Sequence, residues 1–196
     1  MQLFFTMEDF QLDIEKCLEV LNAGGLILYP TDTVWGIGCD ATNEAAVAKI
    51  YQLKQREDSK KMIVLMAGEK EVMQYATQLD LSIFDYLETV TKPTTVIYEG
   101  VIGLADNILG EDNSVAIRIC EEPFCKHLIK RFQKPIVSTS ANISGNATPS
   151  FYADIQKNII DGVDYVVGYR QNDNSPKEPS SVIKWGENGS LIVIRA

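Results

Sequence analysis

The chain has 196 residues, of which 45% are hydrophobic, and a formal net charge of -9 at pH 7. This length and apolar content are sufficient for one sizeable core, and we predict a single domain over residues 1–196. The acidic balance argues against sequence-independent nucleic-acid binding, which depends on Lys and Arg, and no run approaches the roughly 18 apolar residues that a membrane span needs.

The first part of the chain alternates helices and strands. Ile14, Cys17 and Leu21 recur at helical spacing, and the glycines at 24 and 25 end that helix. An apolar strand over 26–29 enters a corner that contains Pro30, and a second strand with glycines at 36 and 38 leaves it. The elements predicted next are a helix over 44–54, a buried strand over 62–66, and helices over 69–79 and 82–90.

The second part of the chain is richer in strands. Strands are predicted over 94–98 and 114–119, and the Gly- and Asp-rich segment 100–113 between them is expected to be a mobile loop. Pro123 opens a helix that runs to Phe132, and a short strand over 136–138 follows Pro135. We further predict a helix over about 151–160 and strands over 165–167, 182–185 and 191–195. This order, without an internal repeat, indicates an α/β fold with a mixed sheet.

The cysteines and the N-terminus indicate a reducing compartment. The four cysteines form no C-x-x-C pair, and His127 is the only histidine, so a Cys/His zinc site lacks suitably spaced ligands. The start of the chain carries acidic residues instead of the basic start of a signal peptide. We therefore expect a cytoplasmic protein with reduced, mostly buried cysteines, no metal bound by the protein itself and no membrane partner.

The corner that begins at Tyr29-Pro30 holds three polar side chains at a rigid bend. Pro30 fixes its own φ and pushes the preceding residue toward an extended conformation. Thr31, Asp32 and Thr33 follow it directly. Turn chemistry alone is an alternative explanation for these residue types.

The second motif is Lys54-Gln55-Arg56, which lies in a basic island in an otherwise acidic chain. Such an island can focus an anionic ligand, although a solvated helix end and favourable interaction with the helix dipole are alternatives. Residues two apart face one side of a strand, so Lys54 and Arg56 would point into one pocket if the helix has ended before them. With no G-x-x-x-x-G-K-[ST] present, Lys54, Arg56, Lys60 and Arg118 are the cations predicted to bind a polyphosphate.

The third motif is the hydroxyl-rich segment from Ser138 to Gly145, which contains Ser140 and Asn142. No Gly-x-Ser-x-Gly elbow is present, so a nucleophilic serine is not favoured. Ser140 and Asn142 are better interpreted as neutral hydrogen-bonding groups for phosphate or nucleoside. The alternative is a turn that bonds its own backbone.

Taken together, the three motifs resemble those of the YrdC-like family, the threonylcarbamoyl-AMP synthases: P-T-[DE]-T-x-[YFW]-G-[LIV]-G, K-x-R and S-x-N, in order, from Gly24 to Arg195. The resemblance, to the short single-domain form, implies a twisted mixed β-sheet flanked by helices with an open basic concave cleft. It implies synthesis of threonylcarbamoyl-AMP and pyrophosphate from L-threonine, bicarbonate or CO2, and ATP, with Mg2+ carried by ATP. The product would serve threonylcarbamoyladenosine modification of tRNA through a downstream threonylcarbamoyl transferase complex.

The resemblance also implies roles for individual residues. Lys54 and Arg56 would be catalytic. The implied threonine-binding residues are Thr31, Thr33, Arg118, Thr139 and Ser180. The implied ATP-binding residues are Arg56, Lys60, Ser114, Ser140, Ala141, Asn142, Thr148 and Arg195.

Two positions depart from the family pattern. The chain has Thr91-Lys92-Pro93-Thr94 where most members have Trp-Pro-Gly-Pro, and Leu65 where several have a histidine. We expect the retained proline to keep the turn and the leucine to alter threonine affinity.

Two other functions are alternatives. One is a binding module for tRNA or double-stranded RNA on a basic cleft, which the overall acidity and the lack of interleaved aromatic and basic residues weaken. The other is a non-synthase paralogue, or a carbamoyl-transfer domain like those of hydrogenase maturation proteins. The intact K-x-R and S-x-N motifs favour the synthase.

Overall fold

Helices and strands alternate along the chain much as the sequence pattern predicts. The computed structural model describes residues 10–56, 62–110, 112–175, 177–186 and 190–196. The α-helices in this part of the chain are α1 (Gln11–Asn22), α2 (Glu44–Lys54), α3 (Glu69–Tyr75), α4 (Ser82–Thr89), α5 (Pro123–Phe132) and α6 (Lys157–Ile160). The strands are β1 (Ile27–Tyr29), β2 (Gly36–Gly38), β3 (Ile63–Met66), β4 (Thr94–Tyr98), β5 (Val115–Ile119), β6 (Ile136–Ser140), β7 (Tyr165–Val166), β8 (Ser181–Trp185) and β9 (Leu191–Arg195). None of these helices is long and apolar enough to cross a membrane.

The strands described above form one mixed sheet in the order β7-β1-β2-β6-β3-β5-β4-β8-β9. The pairs β1/β7, β3/β5 and β4/β8 are parallel, and the other neighbours are antiparallel. The predicted α/β fold with a mixed sheet is therefore confirmed. This order brings the corner between β1 and β2 beside the end of β6, although about a hundred residues separate them in sequence.

Helices cover the sheet and bury its apolar residues. The α1 and α5 helices pack on each other, α1 also contacts β1, and α3 and α5 contact β3. The buried face of α5 follows the helical period through Phe124, Leu128 and Phe132. The four cysteines are buried and free, as predicted.

The segment 100–113 differs from the mobile loop predicted for it. Val101, Leu104 and Ile108 are buried, and a short 3-10 turn covers Asp106–Ile108. The backbone N–H of Ala105 donates to the carbonyl of Ala41 at 2.9 Å. The apolar residues between the glycines attach the described part of this segment to the core. The prediction of a loop gave weight to the Gly and Asp content and not to these apolar residues.

The helix predicted over 151–160 is wrong in its first half. The chain forms a 3-10 turn over Tyr152–Asp154, an extended Gln156, and then the single turn of α6. The strand predicted over 136–138 is longer in the structure, because β6 pairs with β3 on one side and with β2 on the other. Thr139 and Ser140 therefore lie on the strand together with Ser138, and not on the loop that follows it.

Candidate functional site

A pocket of about 370 Å³ lies against one face of the sheet. Its apolar floor comes from Ile63 on β3, Ile97 on β4, Ala116 on β5 and Val182 on β8. The predicted site residues that line it are Thr33, Arg56, Arg118, Thr139, Ser140, Thr148, Ser180 and Arg195. The pocket therefore brings together residues from all three motifs.

Among the described residues, the basic side chains of this lining are those of Arg56, Arg118 and Arg195. The open concave shape remains a prediction. A larger cavity of about 630 Å³ lies where β3 and β5 end, among the lysines and glutamates of the neighbouring helices. None of the predicted site residues that the structure describes lines it.

Hydrogen bonds inside the turn fix the corner between β1 and β2. The Thr31 hydroxyl donates to the carbonyl of Val34 at 2.8 Å and accepts from the backbone N–H of Thr33 at 3.0 Å. The two threonine hydroxyls lie 3.0 Å apart. Because these bonds occupy its hydroxyl, Thr31 holds the turn, while Thr33 is the threonine that lines the pocket.

Arg118 is the buried cation of the pocket and is only 3% exposed. Its Nη2 donates to Oδ1 of Asp32 at 2.9 Å and to the Thr33 hydroxyl at 3.2 Å. Its Nε is buried and has no hydrogen-bond partner in the described part of the chain. A guanidinium with an unused buried donor is suited to a ligand carboxylate. Asp32 is a site residue that sequence reasoning noted in the corner but did not assign.

Lys54 does not point into the pocket, contrary to the strand-like geometry considered for K-x-R. The α2 helix continues through Lys54, and Gln55 ends it in the left-handed conformation with φ 49°. The Lys54 side chain is 1% exposed, and its Nζ donates to the carbonyl of Ser140 and, at 2.6 Å, to that of Asn142. The carbonyl of Lys54 accepts from the N–H of Ser144 at 2.8 Å. Lys54 therefore joins the second motif to the third.

Burial lowers the pKa of both cations of K-x-R. Burial, with a smaller contribution from Arg56, lowers the pKa of Lys54 to about 7. Burial also lowers the pKa of Arg56, which follows the helix and lines the pocket. An arginine remains protonated despite such a shift. Arg56 is thus the cation of this motif that can face a ligand anion.

The segment after β6 is held both by the corner and by Lys54. Ser140 pairs with Gly36 across β6 and β2, and the N–H of Ala141 donates to the carbonyl of Trp35 at 3.1 Å. The Asn142 amide donates to the carbonyls of residues 143 and 146, as the turn alternative predicts. Its Oδ1 is buried without a partner among the described residues. Ser140 lines the pocket, whereas Ala141 and Asn142 shape the turn beside it.

Ser180 and Arg195 form the opposite wall. The Nε and Nη2 of Arg195 donate to the carbonyl of Ser180 at 3.0 and 2.8 Å. The Ser180 hydroxyl lies 2.8 Å from that of Thr95. This bidentate contact fixes the end of β9 against the segment before β8.

The remaining predicted residues lie at the margin or elsewhere. Ser114 directly precedes β5, two residues before the pocket residue Ala116, and does not line the pocket. Lys60 lies outside the described residues. Leu65 is fully buried and pairs with Arg118 in the β3/β5 ladder, so this position adds no polar group beside the guanidinium. Sequence reasoning missed the apolar floor, which alternate positions of the predicted strands could have shown.

Comparisons with known proteins identify the family of this chain. The Sua5/YciO/YrdC family model, described as "Telomere recombination", matches residues 19–196. The threonylcarbamoyl-AMP synthase of Psychromonas ingrahamii is 38% identical over 68% of this chain and 72% of its own length. The threonylcarbamoyl-AMP synthase of Hahella chejuensis is 35% identical over 78% of this chain and 83% of its own length.

A solved structure shares the fold. The crystal structure of P. abyssi Sua5 complexed with L-threonine matches 94% of this chain with a TM-score of 0.82 and 22% identity. This chain spans 54% of the length of that protein, about half. At this identity the likeness concerns the fold, a twisted mixed sheet flanked by helices.

Proposed function

Because this chain belongs to the Sua5/YciO/YrdC family, we propose that it is an enzyme that forms threonylcarbamoyl-AMP and pyrophosphate from L-threonine, bicarbonate or CO2, and ATP, which makes it a nucleotidyltransferase. The observation that carries the proposal is the convergence of three distant motifs on one pocket whose lining contains a buried cation and several hydroxyls. The fold alone would not separate a synthase from other proteins built on it, so the proposal rests on the side chains.

The threonine end of the pocket is proposed to lie at the corner. The buried guanidinium of Arg118 has an Nε donor without a partner in the described chain, which suits the carboxylate of an amino acid. Thr33, Thr139 and Ser180 supply hydroxyls around it, all within the same lining. Asp32 holds one side of the guanidinium at 2.9 Å and so fixes its plane.

The nucleotide end is proposed to lie toward Arg56, Ser140 and Thr148. Arg56 offers a planar fork for phosphoryl oxygens, and the two hydroxyls are neutral donors. Lys54 acts one step behind them, since it holds the backbone of Ser140 and Asn142 in place. Arg195 stabilises the wall across the pocket through Ser180.

The chemistry asks for positioning and charge stabilisation more than for a nucleophile. The amine of threonine adds to CO2 and loses a proton, which gives a carbamate. A carbamate oxygen then forms a bond to the α-phosphorus of ATP, the bond to the bridging oxygen breaks, and pyrophosphate leaves with that electron pair. Arg118 would hold the amino acid in line and Arg56 would stabilise charge on the phosphoryl oxygens.

Magnesium is proposed to enter with ATP. None of the described residues that line the pocket is an acid, and the described chain contains no cluster of three His, Cys, Asp or Glu side chains that could hold a metal ion. A lining of hydroxyls and guanidiniums fits an ion held by phosphate oxygens and water. The ion would neutralise triphosphate charge when bound.

The proposal extends to the fate of the product. Its use by a downstream transferase that modifies tRNA follows from the proposed reaction.

The test is pyrophosphate release from ATP with Mg2+ and bicarbonate, with L-threonine, L-serine or no amino acid. We expect release that requires L-threonine. Replacement of the pocket residue Arg56 by alanine should strongly reduce this release. Arg131 is an exposed arginine of α5 away from the pocket, so Arg131→Ala is the matched control. Release that is equal in all three conditions, or absent from a folded protein, would contradict the proposal.

A further inference from the structure

Arg170 is a largely buried arginine that lies outside all three motifs. It follows β7, its backbone is in the left-handed region with φ 64°, and its side chain is 13% exposed. Asp13 of α1 holds the preceding backbone, since its carboxylate accepts from the N–H groups of Gly168 and Tyr169 at 3.0 and 2.9 Å. A non-glycine residue with positive φ is uncommon and persists where its surroundings fix it.

The Arg170 guanidinium touches three separate parts of the chain. Its Nη1 donates to the carbonyl of Thr31 at 3.3 Å and lies 3.5 Å from Oε1 of Glu122, the buried N-cap residue of α5. Its Nε and Nη2 donate to Oδ2 of Asp173 at 3.1 and 2.6 Å. The carboxylates of Glu122 and Asp173 therefore compensate the guanidinium charge, while Nη1 donates to the Thr31 carbonyl in the corner.

The carbonyl that Arg170 holds belongs to the turn that presents Thr33. The neighbouring carbonyl, that of Pro30, accepts from the Cys125 thiol at 3.1 Å. Two consecutive carbonyls of the corner are thus fixed by side chains from other elements. In the same turn, the Thr31 hydroxyl contacts the Thr33 hydroxyl, which in turn accepts a hydrogen bond from Arg118.

Asp173 extends this clamp to the segment that follows Arg170, and both residues line a small cavity together with Thr31 and Thr33. Asp173 lies three residues after Arg170, in the segment that leads to Pro179 and Ser180, both of which line the pocket. The guanidinium therefore connects the corner to that segment. A displacement of Arg170 would release both the Thr31 carbonyl and the Asp173 carboxylate.

We infer that Arg170 is a positioning residue for the amino-acid end of the pocket: it fixes the corner that presents Thr33 to the pocket. This inference rests on the proposed function for the identity of the ligand. Arg170 itself does not line the main pocket, so it acts through Thr31 and Asp173. Among the described residues, none of those assigned to the nucleotide end contacts Arg170.

The kinetic test compares Arg170→Met with the exposed control Arg131→Met. Loss of a charged hydrogen bond to the corner predicts a KM for L-threonine higher by about tenfold, with the KM for ATP changed by less than about twofold. An equal rise in both KM values, or no rise, would overturn the inference. The control is expected to keep both values.

Removal of Arg170 also leaves the buried Glu122 without its cation, which could unfold the protein for a purely structural reason. The double variant Arg170→Met/Glu122→Gln removes that charge. A positioning role predicts that the double variant regains thermal stability and keeps the raised KM for L-threonine. Return of the wild-type KM together with stability would show that the role is structural only.

Hydrogen exchange separates this inference from the proposed function. The N–H of Thr33 is bonded inside the corner, so its exchange in the ligand-free double variant is expected to be faster by about tenfold than in the wild type. Unchanged exchange would overturn the role of Arg170 even if the wild type proves to be a synthase. If the wild type shows no threonine-dependent pyrophosphate release, L-threonine is not the ligand of this pocket. The exchange result alone then decides whether Arg170 fixes the corner.

Discussion

Replacement of Lys54 by methionine tests how the second and third motifs are joined. Methionine keeps an unbranched apolar stem of similar length but cannot donate to the carbonyls of Ser140 and Asn142, which the Lys54 ammonium contacts. Burial lowers the pKa of this lysine from its ordinary value of 10.5 to about 7. Between these two values the unfolded chain binds more protons at this site than the folded chain, so this lysine makes the free energy of unfolding rise with pH.

The size of that rise follows from the two pKa values. At pH 7 the folded lysine is about half protonated, whereas the unfolded lysine is almost fully protonated. From pH 7 to pH 9 the contribution of Lys54 to the free energy of unfolding should increase by about 2 kcal/mol. Lys54→Met lacks this contribution, and the other titrating groups largely cancel when the two proteins are compared.

The assay is urea unfolding of the wild type and Lys54→Met at pH 7 and pH 9. The difference in unfolding free energy between them should change by about 2 kcal/mol in favour of the wild type at the higher pH. A difference that stays constant within about 0.5 kcal/mol would mean that Lys54 keeps an ordinary pKa, and its burial as described here would be refuted.

Three further substitutions test the pocket and its support. Arg56→Ala should lower kcat by about a hundredfold or more, because it removes charge stabilisation of the phosphoryl oxygens; wild-type turnover by the folded variant would exclude Arg56 from the site. Arg118→Lys should raise the KM for L-threonine by at least about tenfold, because an ammonium cannot keep the forked contacts with Asp32 and a ligand carboxylate, and steady-state kinetics with an unchanged KM would contradict this. Gly38→Ala should destabilise the protein by about 1–3 kcal/mol in urea unfolding, since its Cβ would lie 2.7 Å from both the Tyr29 ring and the carbonyl of Val137; an unchanged midpoint would show that the strands can separate there.

Local sequence patterns predicted correctly those helices and strands whose apolar residues follow one period and whose ends are marked by capping or turn residues. The α2 helix begins and ends at the predicted residues because Asn43 caps its start and the left-handed Gln55 ends it. The β4 and β9 strands also have their predicted bounds. The helix expected over 151–160 failed because an apolar spacing of three or four residues also occurs in consecutive turns.

Tertiary contacts account for most of what the sequence did not reveal about the site. The motifs indicated which residues converge, but nothing local showed that Lys54 would be turned away from the pocket toward the carbonyls after β6. The ion pair of Arg118 with Asp32 joins positions 86 residues apart, and the contact of Arg170 with Thr31 joins positions 139 apart. Such pairings depend on strand order in the sheet, which propensity and spacing do not determine.

The most direct test of the central claim is detection of the product itself. Purified protein would be incubated with ATP, Mg2+, isotopically labelled bicarbonate and L-threonine, and the nucleotides would be separated and analysed by mass spectrometry. We expect an AMP adduct that contains the labelled carbon and one threonine, formed in step with pyrophosphate and absent when L-threonine is omitted. ATP consumption without a labelled adduct, or an adduct that forms equally well without L-threonine, would contradict it.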